Sequence, residues 1–485
     1  MATAGVATTR SETAPHRAAI VPIATLALVV FAVLSMAPQI YNDGDTGWHI
    51  AAGRWILAAH GVPATDPFSF TFGGKPWLAH EWLAEIVMAG VYAAASWSAV
   101  SLLFAGAIAA LVLILGLEIG RWLQPAPTLT VLMLVIIALL PFVLARPHVI
   151  AWPLLAGWTV ILLRARDAGR QPPLVAALVM LVWANLHASF LLGLVLAGVF
   201  GLEALVAASD RRRVFLGWLG FGALSLLAAL ATPYGVHGLL FPLQVSGMPA
   251  ISTVMEWQPT VLANDTGFKL VVLASLFALL YRGVRVPMFR LIILIGTLYL
   301  AFQAVRHQAI LAIVGSLLLA RPLALTFAPL PMAIAVPQRR SAMLLAAALA
   351  LAVIVRMAIP VTRIDNGSNP ISILAQVPAE LRSQPVLNDY GFGGALVFAG
   401  IRPYIDGRVD MYGDAFTFDH GQIVAGNLPA FQRAVERWGL RWTILPPNSP
   451  LVAALDRLPG WRRLAADKWA VVHVRHMPPP SSPPV

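Results

Sequence analysis

The sequence predicts a mainly α, polytopic membrane protein of about eleven spanning helices, N-terminus inside and C-terminus outside, with a C-terminal extracytoplasmic α/β domain. Three observations carry this. Of 485 residues, 59% are hydrophobic and only 11% charged, whereas a soluble domain has about a quarter charged. Mean hydropathy is +0.78. Apolar runs near 20 residues long recur from Ile20 to Ile359, and at ~1.5 Å per residue each crosses a hydrocarbon core of ~30 Å. The runs are continuous instead of alternating, so they read as helices and not as barrel strands.

The first run, Ile20 to Ala37, follows Arg10, His16 and Arg17. Ser35-Met36-Ala37 has the small-x-small pattern of a signal-peptide cleavage site, but the run is longer than a signal core and is read as an anchor. Further spans are expected near 98–120, 127–145, 148–163, 173–187, 189–208, 214–232, 267–281, 287–303, 308–320 and 341–359. With this count Arg121, Arg164/Arg166/Arg170, Arg211-Arg212-Arg213, Arg282/Arg285 and Arg339-Arg340 share the side of the N-terminus, which makes that side cytoplasmic. Loops 39–97 and 233–266, and everything after Pro360, then lie outside. The stretch Glu81 to Ala95 would invert this order as a full span, so it is read as interfacial or re-entrant, a depth that suits Trp82, Tyr92 and Trp97. The chain divides into a cytoplasmic tail 1–19, a transmembrane domain 20–361 with its large first outer loop 39–97, an α/β domain 362–476 and a Pro-rich, disordered tail 477–485. In the α/β domain, apolar runs at Ala395 to Phe398, Trp442 to Leu445 and Ala470 to Val474 alternate with turns at Gly391, Gly393-Gly394 and Gly407, and a helix is expected over Leu428 to Trp438.

Several function classes drop out. The net charge of +11 is scattered between apolar runs as topology signals and does not form a nucleic-acid face. There is no cysteine, hence no disulfide or thiolate chemistry. His80-Glu81 has Ala84 where a zinc-binding His-Glu-x-x-His helix needs its second histidine. No Gly-x-Ser-x-Gly elbow or phosphate-binding P-loop occurs, and Gly391-Phe392-Gly393-Gly394 lacks the context of a dinucleotide site.

What remains is concentrated in loop 39–97. Asp43, Asp45, His49, Asp66, His80, Glu81 and Glu85 fall within 43 residues of a chain with 22 acids, among many aromatics. A plain solvated loop, with Asp43 or Asp45 capping a short helix that starts near Thr46, accounts for either aspartate alone but not for the His/Glu and aromatic density. Further ionisable or polar groups sit at outer helix ends: Arg146-Pro147-His148, Asn185-Leu186-His187, Thr232-Pro233-Tyr234-Gly235 with His237, Glu256-Trp257 and Arg306-His307. Each alone reads as interfacial or snorkelling. Together on one side of the membrane they read as the lining of a pocket.

This layout, with an Asp-x-Asp pair (Asp43, Asp45) opening the first outer loop, an interfacial helix, many spans and an outer C-terminal domain, resembles the GT-C (C-type) superfamily of polyprenyl-phosphate-sugar-dependent membrane glycosyltransferases. Asp43-Gly44-Asp45-Thr46-Gly47-Trp48-His49, Asp66-Pro67-Phe68-Ser69-Phe70-Thr71, His80-Glu81-Trp82, Asn388-Asp389-Tyr390-Gly391 and Asp406-Gly407-Arg408 are similar to a group of bacterial membrane proteins near that superfamily. Asp389-Tyr390-Gly391 also resembles the end of the Trp-Trp-Asp-Tyr-Gly motif of oligosaccharyltransferases, but Leu387 and Asn388 stand where the tryptophans would be, so sequon recognition does not carry over. The resemblance implies a bacterial inner-membrane enzyme that moves a sugar from a polyprenyl-phosphate donor to an extracytoplasmic glycan, lipid or protein acceptor. It makes Asp43 or Asp45 the catalytic base, with His49, Asp66, His80, Glu81, Arg146, His148, His187, Glu256, Arg306 and His307 on the substrates. A divalent Mg or Mn ion, if used, would lean on Asp43, Asp45 and Glu81. The alternatives are a non-enzymatic glycan- or lipid-binding membrane protein and a lipid-linked sugar transporter, the latter disfavoured by the lack of an internal repeat.

Overall fold

The computed structural model describes residues 17–327, 333–335 and 338–476. The N-terminal residues Arg10 and His16 and the expected Pro-rich tail 477–485 lie outside the described residues.

Among the described residues thirteen α-helices build the first part: α1 (Ile20–Met36), α2 (Thr46–Ala59), α3 (Trp82–Ile119), α4 (Pro125–Leu139), α5 (Pro147–Asp167), α6 (Ala177–Leu186), α7 (Phe190–Val206), α8 (Arg211–Leu230), α9 (Val236–Ser246), α10 (Thr266–Tyr281), α11 (Met288–Gln303), α12 (Gln308–Phe327) and α13 (Arg339–Ala358). Among the described residues six helices are long and apolar enough to cross a membrane, and five apolar helices of 10–17 residues accompany them. Each of the eleven expected runs coincides with one of these. The α3 helix begins inside the stretch read as interfacial, and its backbone breaks at Ala95 (φ −153°) and Ser96 (φ 52°) before continuing to Ile119. The segment 82–94 is therefore a helix of its own direction, packed on α2.

The second part of α3 lies at the centre of the bundle, where Val100, Phe104, Ile108, Leu111, Leu115 and Ile119 repeat every three or four residues and are all buried. α1, α4, α5 and α12 pack around it. Ion pairs cross the end of the bundle away from Arg146: Glu118 with Arg121 and Arg164, Asp167 with Arg290 and Arg321, Glu203 with Arg166 and Arg290. Two short parallel strands, β1 (Arg17–Ala19) and β2 (Ala333–Ala335), pair beside α1.

The C-terminal part is an α/β unit. Its sheet has the order β3 (Val386–Asn388), β4 (Trp442–Leu445), β6 (Val471–Arg475), β5 (Trp461–Ala466), with β3 parallel to β4 and the other pairs antiparallel. Successive strand residues point to opposite faces, and here both faces are covered. Val386, Ile444 and Val472 join one core with Phe392 and Trp442, while Leu387, Leu445 and Val471 join another with Tyr404 and Phe431. The helices are α14 (Ile371–Gln376), α15 (Ala379–Arg382), α16 (Gly393–Phe398), α17 (Val409–Val424), α18 (Leu428–Trp438) and α19 (Pro450–Leu455). The run at Ala395 to Phe398 and its glycine pair, expected as a turn, are thus one short helix. α18 spans the expected residues: Asn427 accepts from the Ala430 N–H at its start, Gly439 (φ 64°) ends it, and Phe431, Ala434 and Val435 face inward.

Candidate functional site

Pro147 opens α5 and forces the residue before it into extended backbone, so Arg146 stands at the helix entrance with φ −127° and ψ 155°. Its neighbour Ala145 is pinned to the first outer loop, donating to the Ile40 carbonyl at 2.8 Å and accepting from the Thr46 hydroxyl at 3.1 Å. The guanidinium is thereby delivered to the start of α2. There it meets three carboxylates: Asp43 Oδ1 lies 2.6 Å from Nε, Glu256 Oε2 lies 2.5 Å from Nη1, and Asp45 Oδ2 pairs with Nη2.

The two aspartates are not equivalent. Asp43 is buried, and its Oδ2 accepts from the Thr46 N–H at 2.8 Å, the Thr46 hydroxyl at 2.9 Å and the Asp45 N–H at 3.2 Å. It caps α2, so the bland reading holds for one of its oxygens while the other faces Arg146. Asp45 keeps more freedom: Oδ1 accepts from the Trp48 indole at 3.0 Å and Oδ2 meets Arg146. Burial pushes the Asp45 carboxyl up to about 6; Arg146 opposes this, and the Asp43 and Glu256 charges reinforce it. Glu256 goes the other way. Burial would raise it, but Arg146 and Arg306 together hold it down to about 2. Arg306 binds Glu256 Oε1 at 3.0 Å, and its guanidinium carbon stacks 4.5 Å over the Trp257 ring. Backbone bonds from Val305 N–H to Gln258 and from Thr260 N–H to Phe302 tie the Glu256 loop to the Arg306 turn.

A second cluster begins one helical turn along α2. The His49 Nε2 lies 3.7 Å from Glu81 and its Nδ1 3.6 Å from Glu85, while His80 and His187 approach the other oxygen of Glu81 at 3.7 and 3.5 Å. Burial holds His49 well below its usual pKa and His80 at about 4, and burial raises Glu81 to about 8. Burial thus works against charge on both His49 and His80 and on the Glu81 carboxyl between them. His49 Nδ1 and one oxygen of Glu85 are buried with no hydrogen-bond partner. The rims are set by Asn185, which accepts from the Trp82 indole at 2.8 Å, and by Tyr234, whose hydroxyl accepts from the Ala79 N–H at 2.9 Å.

The structure therefore brings Asp43, Asp45, Arg146, Glu256 and Arg306 into one group, and His49, His80, Glu81 and His187 into a group beside it. His148 hydrogen-bonds the Phe142 carbonyl at 3.0 Å and lies 6.2 Å from the His187 ring, at the edge of the second group. His307 bonds the Leu300 carbonyl at 3.1 Å and packs on Trp257 behind Arg306. Asp66 joins neither. It is buried against the C-terminal unit, with Ser69 and Phe68 N–H groups on its oxygens and the Arg408 guanidinium 2.8 Å away. Arg408 also holds Asp406 at 2.6 Å, and Tyr412 donates to the same aspartate. The two motifs quoted from loop 39–97 and from the domain thus close on each other as a buried clasp.

Residues that sequence reasoning did not assign complete the site. Asn369 donates to the carbonyls of Tyr41 and Asp43 at 3.0 and 2.8 Å. The Tyr390 hydroxyl donates to Gly407 at 3.0 Å, and Gly407 lies so close to Asp45 that a Cβ there would strike its carboxylate. The Asn388-Asp389-Tyr390-Gly391 motif was a signal for the domain side, but not for which loop it covers.

No family model matches the sequence, and no curated protein matches it. Solved structures do. The archaeal oligosaccharyltransferase AglB from Archaeoglobus fulgidus, in complex with an inhibitory peptide and a dolichol-phosphate, superimposes with a TM-score of 0.56 at 12% identity over 87% of this chain and 69% of that one. ArnT from Cupriavidus metallidurans, bound to undecaprenyl phosphate, gives 0.52 at 15% identity over 94% and 97%. The likeness is one of fold: this multi-pass membrane protein has the GT-C fold.

Proposed function

We propose, taking the GT-C fold as premise, that the chain transfers a sugar from a polyprenyl-phosphate donor to an acceptor hydroxyl, with Asp45 as the base. One observation carries the reading: Asp43, Asp45 and Glu256 converge on Arg146, with Arg306 behind, between the first loop and the ends of the helices. The likeness to AglB with dolichol-phosphate and ArnT with undecaprenyl phosphate supports a lipid-phosphate donor.

In this mechanism the acceptor oxygen forms a bond to the anomeric carbon, the bond from that carbon to the lipid-phosphate oxygen breaks, and the phosphate departs with the electron pair. The acceptor proton passes to Asp45, whose raised pKa matches a base working near neutrality. Asp43 is the less suitable base because its Oδ2 already takes three donors. Charge growing on the phosphate needs a cation with donors to spare. All three nitrogens of Arg146 face carboxylates, whereas Arg306 spends Nη1 on Glu256, so Arg306 takes the phosphate and Arg146 positions Asp45. The His49, His80, Glu81 and His187 group, buried and rich in both donors and acceptors, suits sugar hydroxyls.

The reading needs no divalent cation. Among the described residues no three His, Asp or Glu side chains group so as to hold one, and the Arg146 guanidinium already stands where Asp43, Asp45 and Glu256 converge. No step is routed through a metal.

The test is transfer from radiolabelled polyprenyl-phosphate sugars by the purified protein. Asp45→Asn is expected to lower turnover by about 10²-fold or more with thermal stability and donor binding kept. Full turnover in that variant removes Asp45 as the base, and no transfer from any donor by folded wild type returns the protein to the binding or transport alternatives.

A further inference from the structure

We infer that the opposite end of the bundle carries a second ligand site, a cavity between α5, α7 and α8 that takes the phosphate of an anionic membrane lipid. α5 runs 21 residues from its start beside Arg146, so its far end lies about 30 Å from the first site. There a cavity of about 400 Å³ is lined by Arg166, Arg170, Arg213, Gln171, Asp210 and Trp218. Small residues, Ala204, Ala207 and Ala208 among them, line much of the rest and leave the space open.

The charges in this cavity are not used up by the protein. Among the described residues neither Arg170 nor Arg213 pairs with a carboxylate, and both are exposed. Arg166 faces Glu203 at 3.5 Å, and its Nε is buried without a hydrogen bond. Asp210 in the wall is engaged in capping α8, accepting from the Arg213 N–H at 3.1 Å. Topology alone asks for arginines on this side but not for three of them around a void. A phosphate offers the acceptor oxygens that guanidinium forks bind in pairs.

The surroundings select a lipid over a soluble anion. Next to the cavity, Leu202, Val206, Phe215, Leu216 and Leu219 are about half exposed (49–57%), which suits acyl chains running along α7 and α8. Trp218 closes the cavity from the core side, and basic pockets between spans bind lipid head groups.

The experiment is native mass spectrometry of the full chain from micelles doped equally with phosphatidylglycerol and phosphatidylcholine, with inorganic phosphate as a separate arm. The wild type is expected to retain phosphatidylglycerol selectively. Retention falls about thirtyfold in Arg170→Gln/Arg213→Gln and is kept in Arg170→Lys/Arg213→Lys, with sugar transfer unchanged in both. Arg170→Gln alone, at an exposed and unpaired residue, serves where the double variant does not fold, and should fall about fivefold. Equal retention in wild type and Gln variants overturns the site. Displacement of the lipid by millimolar inorganic phosphate, or no preference between the two lipids, overturns the lipid assignment.

Discussion

One guanidinium shared by three carboxylates cannot neutralise them all, and that shortage governs Asp45. With Arg306 added, two arginines face three acids, so a proton is most easily taken up at Asp45, whose carboxyl is pushed up to about 6 by burial. A base acts only when deprotonated, so transfer should fall as pH drops through about 6, with the limb visible in kcat/KM. A limb near 4, or none, would point to another base. Stability runs in the opposite sense. A carboxyl whose folded pKa is raised favours folding at low pH and loses that contribution as pH rises through the folded value. Glu81, raised from 4.5 to about 8 by burial, should make the protein less heat-stable between those limits, and Glu81→Gln should flatten that slope in thermal unfolding. Arg146→Gln removes the cation from among Asp43, Asp45 and Glu256. It should abolish transfer and create affinity for Mn²⁺ that the wild type lacks, read by calorimetry; the same Mn²⁺ affinity in both proteins would overturn the view that Arg146 occupies the cation's place.

At the scale of elements, the first outer loop is held from two directions. Arg408 clasps Asp66 and Asp406 from the domain side, all three side chains almost fully buried, and a buried ion pair that loses one partner costs about 3–5 kcal/mol. Arg408→Gln is accordingly expected to destabilise the protein by roughly that amount, measurable by denaturation in detergent, whereas Asp45→Asn is not. Closer in, α16 meets the turn before α2 back to back: a Cβ on Gly394 would collide with the Gly44 carbonyl, and one on Gly44 with the Gly391 carbonyl. Gly394→Ala should therefore push α16 off α2 and lower transfer without touching a charged residue; unchanged kinetics would show that the close approach is not needed. None of these couplings could be read from spacing. Asp66 and Arg408 are 342 positions apart, and an aspartate that clasps an arginine looks, in sequence, like one that meets a substrate.

For the whole molecule, the C-terminal unit is fastened to the first loop: Asn369, Gly407 and Arg408 reach it from the domain. A chain ending at 361 should expose loop 39–97 to protease in micelles, while the intact protein resists; equal resistance would separate the two. The eleven apolar runs, the helix at Leu428 to Trp438, and the collection of candidate groups at one set of helix ends were all legible in the sequence. They follow from composition and periodicity, which act locally: an apolar run must be a helix in lipid because its backbone polar groups have no other partner. Tertiary structure alone decided which acids share Arg146, why Asp43 caps while burial raises Asp45, and that Asp66 belongs to a clasp. A pKa and an ion pair depend on what lies within a few ångströms in space, and residues that far apart in the chain meet only when the fold is complete.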